Sequence, residues 1–307
     1  MMPPLVSVVS AVYNKADVLA DTLRRLTEQQ GIPADAIEFV FVDDGSTDGS
    51  LAFLQARAEA DSRIRVSAPG GNLGPSIRFN QAAALAKGRY LLAVDADDMT
   101  PANAARFLTD CAARLAVPLV FGRSKRGLDC VDIPENAKVE TADDALAFCA
   151  ERKIVRMGFL AEREMWLQAG GADEAVFIQD QSLPLRLSAA AGRLAYVDAE
   201  IYYLRPVAAG NLSNNRLQQH HDRFFSLLPF LDRPDISPSA HRAILRQLVS
   251  SVWKMERDSG ERWPILTPAG RAYLLNRLAG LEPSSAFFAA AAARLRERPG
   301  IRRPGEG

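Results

Sequence analysis

Tyr90-Leu91-Leu92-Ala93-Val94-Asp95-Ala96-Asp97-Asp98, followed by Met99-Thr100-Pro101, is the stretch on which the fold turns. Five apolar residues in a row, ending in three acids within four positions, read as a buried strand that stops at a charged edge. In open α/β sheets ligands bind in the crevice beyond the carboxyl ends of the strands. Carboxylates clustered there supply hard oxygen ligands, suited to Mg²⁺ or Mn²⁺ bridged to substrate phosphates. Like charges this close are hard to keep ionised without a cation. A plain strand-to-helix turn, with Thr100 as N-cap and Pro101 at the first helical position, explains those two residues but not the acids.

Upstream, Leu5 to Val12 is a β-branched first strand broken by Tyr13-Asn14. Asp17 to Gln30 carries Leu19, Leu23 and Leu26 at helical spacing and ends at Gly31. Ile37 to Val42 is a second buried strand, running into Asp43-Asp44-Gly45-Ser46-Thr47-Asp48. A helix around Gly49 to Ala60 leads to a short strand, Ile64 to Ser67. The turn Gly70-Gly71-Asn72-Leu73-Gly74 then opens a helix at Pro75. This alternation predicts a doubly wound α/β sheet with acids at two neighbouring strand ends.

Downstream the pattern is less regular. A helix is expected over Pro101 to Ala116 and a strand over Leu119 to Gly122, with Arg123 to Asn136 polar and loop-like. A helix near Ala142 to Ala150 precedes the segment Phe159 to Ala169, stopped by Gly170-Gly171. Asp180 to Ala191 reads as helical despite Pro184, and Leu194 to Leu204 as two short strands. From Pro206 the pattern is helical only: Arg216 to Leu231, Ser239 to Arg257, Pro268 to Ala279 and Ser284 to Arg298. We therefore expect one α/β domain over 1–205, split into 1–98 and 99–205. A helical region over 206–298 follows, then a disordered tail, 299–307.

Composition narrows the function. The 307 residues are 48% apolar, and 37 basic side chains balance 37 acidic ones. That balance gives no support to nucleic-acid binding, which needs a basic face. Cys111, Cys130 and Cys149 lie far apart, which fits a reducing cytoplasm better than a disulfide framework. The N-terminus lacks the pattern of a signal peptide. The longest apolar run, Ala286 to Ala293, is too short to span a bilayer. A cytoplasmic location follows, with peripheral contact at the inner face of the membrane as an option. The oligomeric state is open.

Four motifs in order carry a resemblance: Val12-Tyr13-Asn14, Asp43-Asp44-Gly45-Ser46-Thr47-Asp48, Asn72-Leu73-Gly74 and Asp95-Ala96-Asp97-Asp98. Together they resemble glycosyltransferase family two, inverting enzymes of the GT-A fold, a Rossmann-like mixed sheet. The resemblance implies a nucleotide-diphosphate sugar donor and a saccharide or lipid-linked acceptor. It places Tyr13, Asp43, Asp44, Asn72, Gly74, Asp95 and Asp97 on the donor side. Asp43, alone or with Asp44, would meet the base or ribose. Asp97 and Asp98 resemble the DxD-type pair that holds Mg²⁺ or Mn²⁺, with Asp98 the direct ligand and Asp97 nearer the ribose.

Gly170-Gly171-Ala172-Asp173-Glu174 and Gln179-Asp180-Gln181-Ser182-Leu183-Pro184-Leu185-Arg186-Leu187 resemble the family's GGFDE and ED-x-x-L-x-x-R-L segments. The general base then falls on Asp180. Gln179 stands where Glu is usual and Ala172 where an aromatic is usual. A helix N-cap is the plain alternative for Asp180. Arg205 with Asn211, Ser213 and Asn214 resembles a loop that folds over the donor, a polar linker being the even alternative. Glu261-Arg262-Trp263 echoes the end of the Gln-x-x-Arg-Trp motif of processive synthases but lacks the Gln, which favours single addition.

Other classes fit less well. Met99 stands where a haloacid dehalogenase-type phosphatase wants Thr or Val, and no G-x-G-x-x-G follows a strand. A non-catalytic sugar-nucleotide binder is the alternative that Gln179 favours. Arg294, Arg296, Arg298, Arg302 and Arg303 suit a solvated basic tail, or anionic lipid or lipid-phosphate.

Overall fold

The computed structural model describes residues 3–206, 215–258 and 264–305. Its centre is an eight-stranded mixed sheet. The first half alternates as predicted. It runs β1 (Val6–Val12), α1 (Ala16–Thr27), β2 (Ile37–Asp43), α2 (Ser50–Ala60), β3 (Ile64–Ser67), α3 (Pro75–Leu85) and β4 (Tyr90–Ala93). All seven residues of β2 and all four of β4 are buried, the burial expected of parallel strands covered on both faces.

The second half comprises α4 (Ala104–Leu115), β5 (Leu119–Arg126), β6 (Val139–Ala142), α5 (Ala145–Arg152), β7 (Phe159–Glu162), α6 (Arg163–Gln168), α7 (Gln179–Ala191) and β8 (Leu194–Leu204). Strand order across the sheet is β3-β2-β1-β4-β7-β5-β8-β6. The first four strands are parallel, β7 runs against both β4 and β5, and edge strand β6 runs against β8. The chain moves outward from β1 to β3 and then crosses back to lay β4 on the other side of β1. That reversal is a topological switch point. Register aligns its carboxyl ends, with Val12 opposite Asp43 and Val9 opposite Ala93.

Four expectations need correction. The helix after the acidic motif starts at Ala104, not Pro101, because Met99 exchanges both backbone hydrogen bonds with Tyr203 and holds the chain extended. Thr100 is not the cap of that helix, and its buried hydroxyl has no partner among the described residues. The segment read as loop from Arg123 starts as strand: β5 continues to Arg126 by pairing with β8, and β6 follows. Leu194 to Leu204 is one strand whose register against β5 shifts around Arg123, which is why it looks interrupted in sequence.

Helices α8 (Arg216–Leu227), α9 (Pro238–Arg257), α10 (Pro268–Ala279) and α11 (Ser285–Arg296) follow. Their apolar faces, including Phe224, Leu227, Ile244, Leu248 and Met255, form a second core. Leu146 and Cys149 of α5 and Leu185 of α7 belong to it too, so the helices are built onto the α/β half. The segment expected to be a disordered tail is docked over its described part. Ile301 is buried, and Arg302 exchanges backbone hydrogen bonds with the Gln218 side chain.

One buried ion pair ties this frame to the crevice. Asp44, just past β2, accepts hydrogen bonds from the Leu73 and Gly74 N–H groups and from the Arg78 guanidinium at 2.7 Å. Arg78 is fully buried and also donates to the Gly70 and Gly71 carbonyls. Removing one partner of such a pair leaves an uncompensated buried charge. Arg78→Met is therefore expected to cost about 3–5 kcal/mol in urea unfolding. A loss below about 1 kcal/mol would mean that the Gly-rich turn is held by something else.

Candidate active site

A cleft of about 710 Å³ opens at the switch point between β1 and β4. Tyr13, Asp44, Asn72, Asp95, Asp97, Asp98 and Asp180 all line it, so residues from five separated motifs meet there. Asp43 and Gly74 are not among its lining residues. Gly74 has a turn role: its φ of +94° suits glycine, and a Cβ there would lie 2.9 Å from the Phe177 ring. Asp44 reaches the cleft with its carboxylate already committed to the Gly-rich turn.

Asp43 is only half used. One oxygen accepts from the Gly45 and Ser46 N–H groups, while the other is buried with no partner among the described residues. A buried carboxylate oxygen without a donor is costly, and a ligand N–H or hydroxyl is the kind of group that satisfies it.

The acids after β4 differ in their surroundings. Asp95 accepts from the Gln179 amide at 2.8 Å and from the Tyr202 hydroxyl at 3.3 Å. Burial, then the charges of Asp98, Asp97 and Asp180, hold its carboxyl well above the ordinary range. Asp97 pairs with Lys15. Asp98 accepts from the Arg205 N–H at 2.9 Å, and burial followed by repulsion from Asp97 pushes it up to about 6. Neutral donors on Asp95 make that residue a fixed post within the site, with little capacity left for a ligand.

Asp180 is not the N-cap of α7. Ile178 occupies that position, and Asp180 lies in the first turn. Its carboxylate accepts from the Gln181 amide at 2.8 Å, and burial pushes it up to about 6 against the pull of Arg156. Pro184, four residues on, withholds the N–H that would bond the Asp180 carbonyl. The turn is instead pinned from α8: Asp222 accepts from the Ile178 N–H at 2.8 Å, and Arg223 donates to the Gln181 carbonyl.

Gln179 explains a departure from the expected motif. A glutamate there would add a carboxylate against Asp95, where Asp97, Asp98 and Asp180 already repel it. An amide keeps the contact and adds no charge.

Sequence reasoning missed several groups here. Lys15, Arg126, Arg156 and Arg302 line the cleft with Arg205, giving a basic rim over an acidic floor. Lys15 follows the Tyr13-Asn14 break directly, which was its available signal. Arg302 had been read as part of a basic tail, yet it lies over the Phe177 ring. Asp222 had no local signal at all, since its partner is 44 residues away. Asn211, Ser213, Asn214 and Glu261-Arg262-Trp263 lie outside the described residues.

Residues 7–110 match the family described as Glycosyl transferase family 2. Over that N-terminal third the chain is similar to that family. Over 209 residues the chain is 26% identical to the poly(ribitol-phosphate) beta-glucosyltransferase of Bacillus spizizenii, covering 65% of this chain and 32% of that one. Over 270 residues it is 25% identical to TarS of Staphylococcus aureus, named a poly(ribitol-phosphate) beta-N-acetylglucosaminyltransferase, covering 83% and 45%. The crystal structure of TarS 1–349 with UDP-GlcNAc superposes with a TM-score of 0.68 over 96% of this chain and 83% of that chain, at 19% identity. The mannosyltransferase PcManGT from Pyrobaculum calidifontis, in complex with GDP-Man and Mn²⁺, gives 0.59 over 97% and 82%, at 20% identity. The fold is GT-A, as the four motifs implied. The chain spans about a third of the length of the first curated relatives it matches.

The raised carboxyls have a thermodynamic consequence. A carboxyl whose folded pKa lies above its unfolded value binds protons in the native state first, so stability rises as pH falls. For Asp98 and Asp180 the gain builds below about pH 7 and levels off near the ordinary carboxylate range, about pH 4. His220, lowered by burial, works the other way. In chelator without nucleotide, the melting temperature of wild type relative to Asp98→Asn/Asp180→Asn is expected to improve by several degrees from pH 7 to pH 5. An unchanged difference would mean that these carboxyls are not crowded as described.

Proposed function

We propose that the protein is a metal-dependent, inverting glycosyltransferase that moves a sugar from a nucleotide-diphosphate donor to an acceptor hydroxyl in cell-surface polymer synthesis. The observation that carries this reading is that Asp180, in the first turn of α7, lines the same cleft as Asp97 and Asp98 beyond β4. Carboxylates from two separate elements thus share a cleft with room for a sugar nucleotide. The similarity to poly(ribitol-phosphate) glycosyltransferases supports the reaction class.

The reaction is a single displacement. The acceptor hydroxyl forms a new C–O bond at the anomeric carbon as the bond from that carbon to the diphosphate breaks. The electron pair leaves with the nucleoside diphosphate, and the hydroxyl proton passes to the Asp180 carboxylate. A pKa near 6 leaves that carboxylate mostly ionised at neutral pH and more basic than an ordinary aspartate. Asp43 lies behind the cleft wall, and its buried oxygen would meet the base or ribose only after the turn from Asp43 to Asp48 shifts, while Lys15, Arg126, Arg156 and Arg205 face the diphosphate. Tyr13 and Asn72 complete the donor wall.

The donor set fits a hard divalent cation. Asp98 has no ion pair among the described residues, and burial followed by repulsion from Asp97 raises it, the situation a cation relieves. No three His, Cys, Asp or Glu side chains converge as a metal cage among the described residues. One or two carboxylates completed by substrate phosphates suffice for Mg²⁺ or Mn²⁺. When bound, the cation would neutralise the departing diphosphate, held by Asp98 with Asp97 beside it.

Among the described residues no helix is long and apolar enough to cross a membrane. We place the enzyme in the cytoplasm with any membrane contact peripheral, acting on a saccharide or lipid-linked acceptor.

Two variants test this. Asp180→Asn keeps the side-chain shape but cannot take the proton; it is expected to retain donor binding and lose roughly 10²–10⁴-fold in transfer rate. A variant that loses stability but keeps its rate per folded molecule would return Asp180 to a structural role. Asp98→Ala is expected to abolish transfer and metal-dependent donor binding while the fold survives. Full activity in that variant, or in wild type with excess chelator, would contradict the metal assignment.

A further inference from the structure

A second cleft, of about 700 Å³, lies between α5 and helices α8, α9 and α10. Lys153, Arg223, Arg246, Lys254 and Arg277 line it, with Glu151 as its acid. The whole chain is charge-neutral, so this excess is local. Lys153, Arg246 and Lys254 have no acidic partner within 4 Å among the described residues. Arg223, 7% exposed, has a guanidinium that bonds, among the described residues, only neutral oxygens, those of the Gln247 side chain and the Gln181 carbonyl. Burial and then the charge of Lys153 depress the Lys254 ammonium. Asp180 acts on Arg223 and Asp258 on Lys254 from a distance, but neither cation has an ion-pair partner within 4 Å among the described residues. A buried cation and crowded neighbours so weakly compensated are costly to fold, and a bound anion lowers that cost.

The cleft adjoins the active site. Val155, Gln181 and Gln219 line both, and Gln181 is the residue whose amide bonds Asp180. Arg246, Ser250 and Lys254 follow one another at four-residue steps along α9, so the charged row spans about 12 Å. That is long enough for more than one charged group of an extended ligand. Guanidinium forks beside ammonium groups suit the two unesterified oxygens of a phosphodiester, whose charge persists at any working pH. The acidic floor of the first cleft would repel the same ligand, which orients it.

We propose that this second cleft holds a phosphodiester-bearing segment of the acceptor and brings its hydroxyl beside Asp180. The proposal rests on the glycosyl-transfer reading and names the acceptor's class. The test titrates the full chain with a fluorescent poly(glycerol phosphate) oligomer, with polygalacturonate and uncharged dextran as comparators. Wild type is expected to bind the phosphate oligomer in preference to both, with an affinity that falls steeply with salt. Arg246→Glu/Lys254→Glu is expected to weaken binding at least tenfold while thermal stabilisation by a nucleotide sugar persists. Wild type that fails to bind, a double variant that binds as well as wild type, or polygalacturonate bound as tightly as the phosphate oligomer would each overturn the proposal. Oligomer binding without donor stabilisation in wild type would sink the transfer reading and leave the anion cleft standing.

Discussion

Burial of Asp95, Asp98 and Asp180 in one crevice with Asp97, with repulsion between neighbouring carboxylates added to it, is the constraint that organises this molecule. A strand end, a turn and a helix start carry them into one crevice, and each element is fixed elsewhere. β4 lies between β1 and β7, the Met99–Tyr203 bridge holds the chain after the acids, and Asp222 pins the start of α7. The carboxylates cannot separate without opening the core. Their relief comes from protonation, from neutral donors such as Gln179 and Tyr202, from Lys15, or from a ligand carrying a cation. A site that is expensive when empty at neutral pH is one that binding can repay.

The basic groups complete the picture by their segregation. Those around the first cleft form a rim over acid, suited to a diphosphate with its metal. Those of the second cleft gather with few acids, suited to an anion alone. Two clefts of opposite character, joined at Gln181, fit the proposal of a donor on one side and an acceptor on the other.

Much of this was legible in sequence, for local reasons. Buried parallel strands read as unbroken apolar runs, and acids at their ends stand out, so β1, β2, β4 and the motif from Asp95 to Asp98 could be found by inspection. Asp180 was reached only through a family resemblance. What could not be read depends on distant partners. The strand identity of Val139–Ala142 comes from pairing with β8, and the extended chain after Asp98 comes from Tyr203. Asp44 passes for a ligand contact until Arg78 is seen beside it. Gln179 looked like a loss of charge near the base, whereas it bonds Asp95. Arg302 looked like free tail until the chain was seen to return to Gln218 and Phe177.

The stereochemistry of the transferred sugar tests the central claim most directly. Nuclear magnetic resonance of the product made from an α-linked nucleotide sugar, with Mg²⁺ or Mn²⁺ and a polyol-phosphate acceptor, reads the anomeric configuration. A β-linked product formed by wild type is the result this account predicts. An α-linked product would contradict the proposed single displacement, which inverts the anomeric centre once.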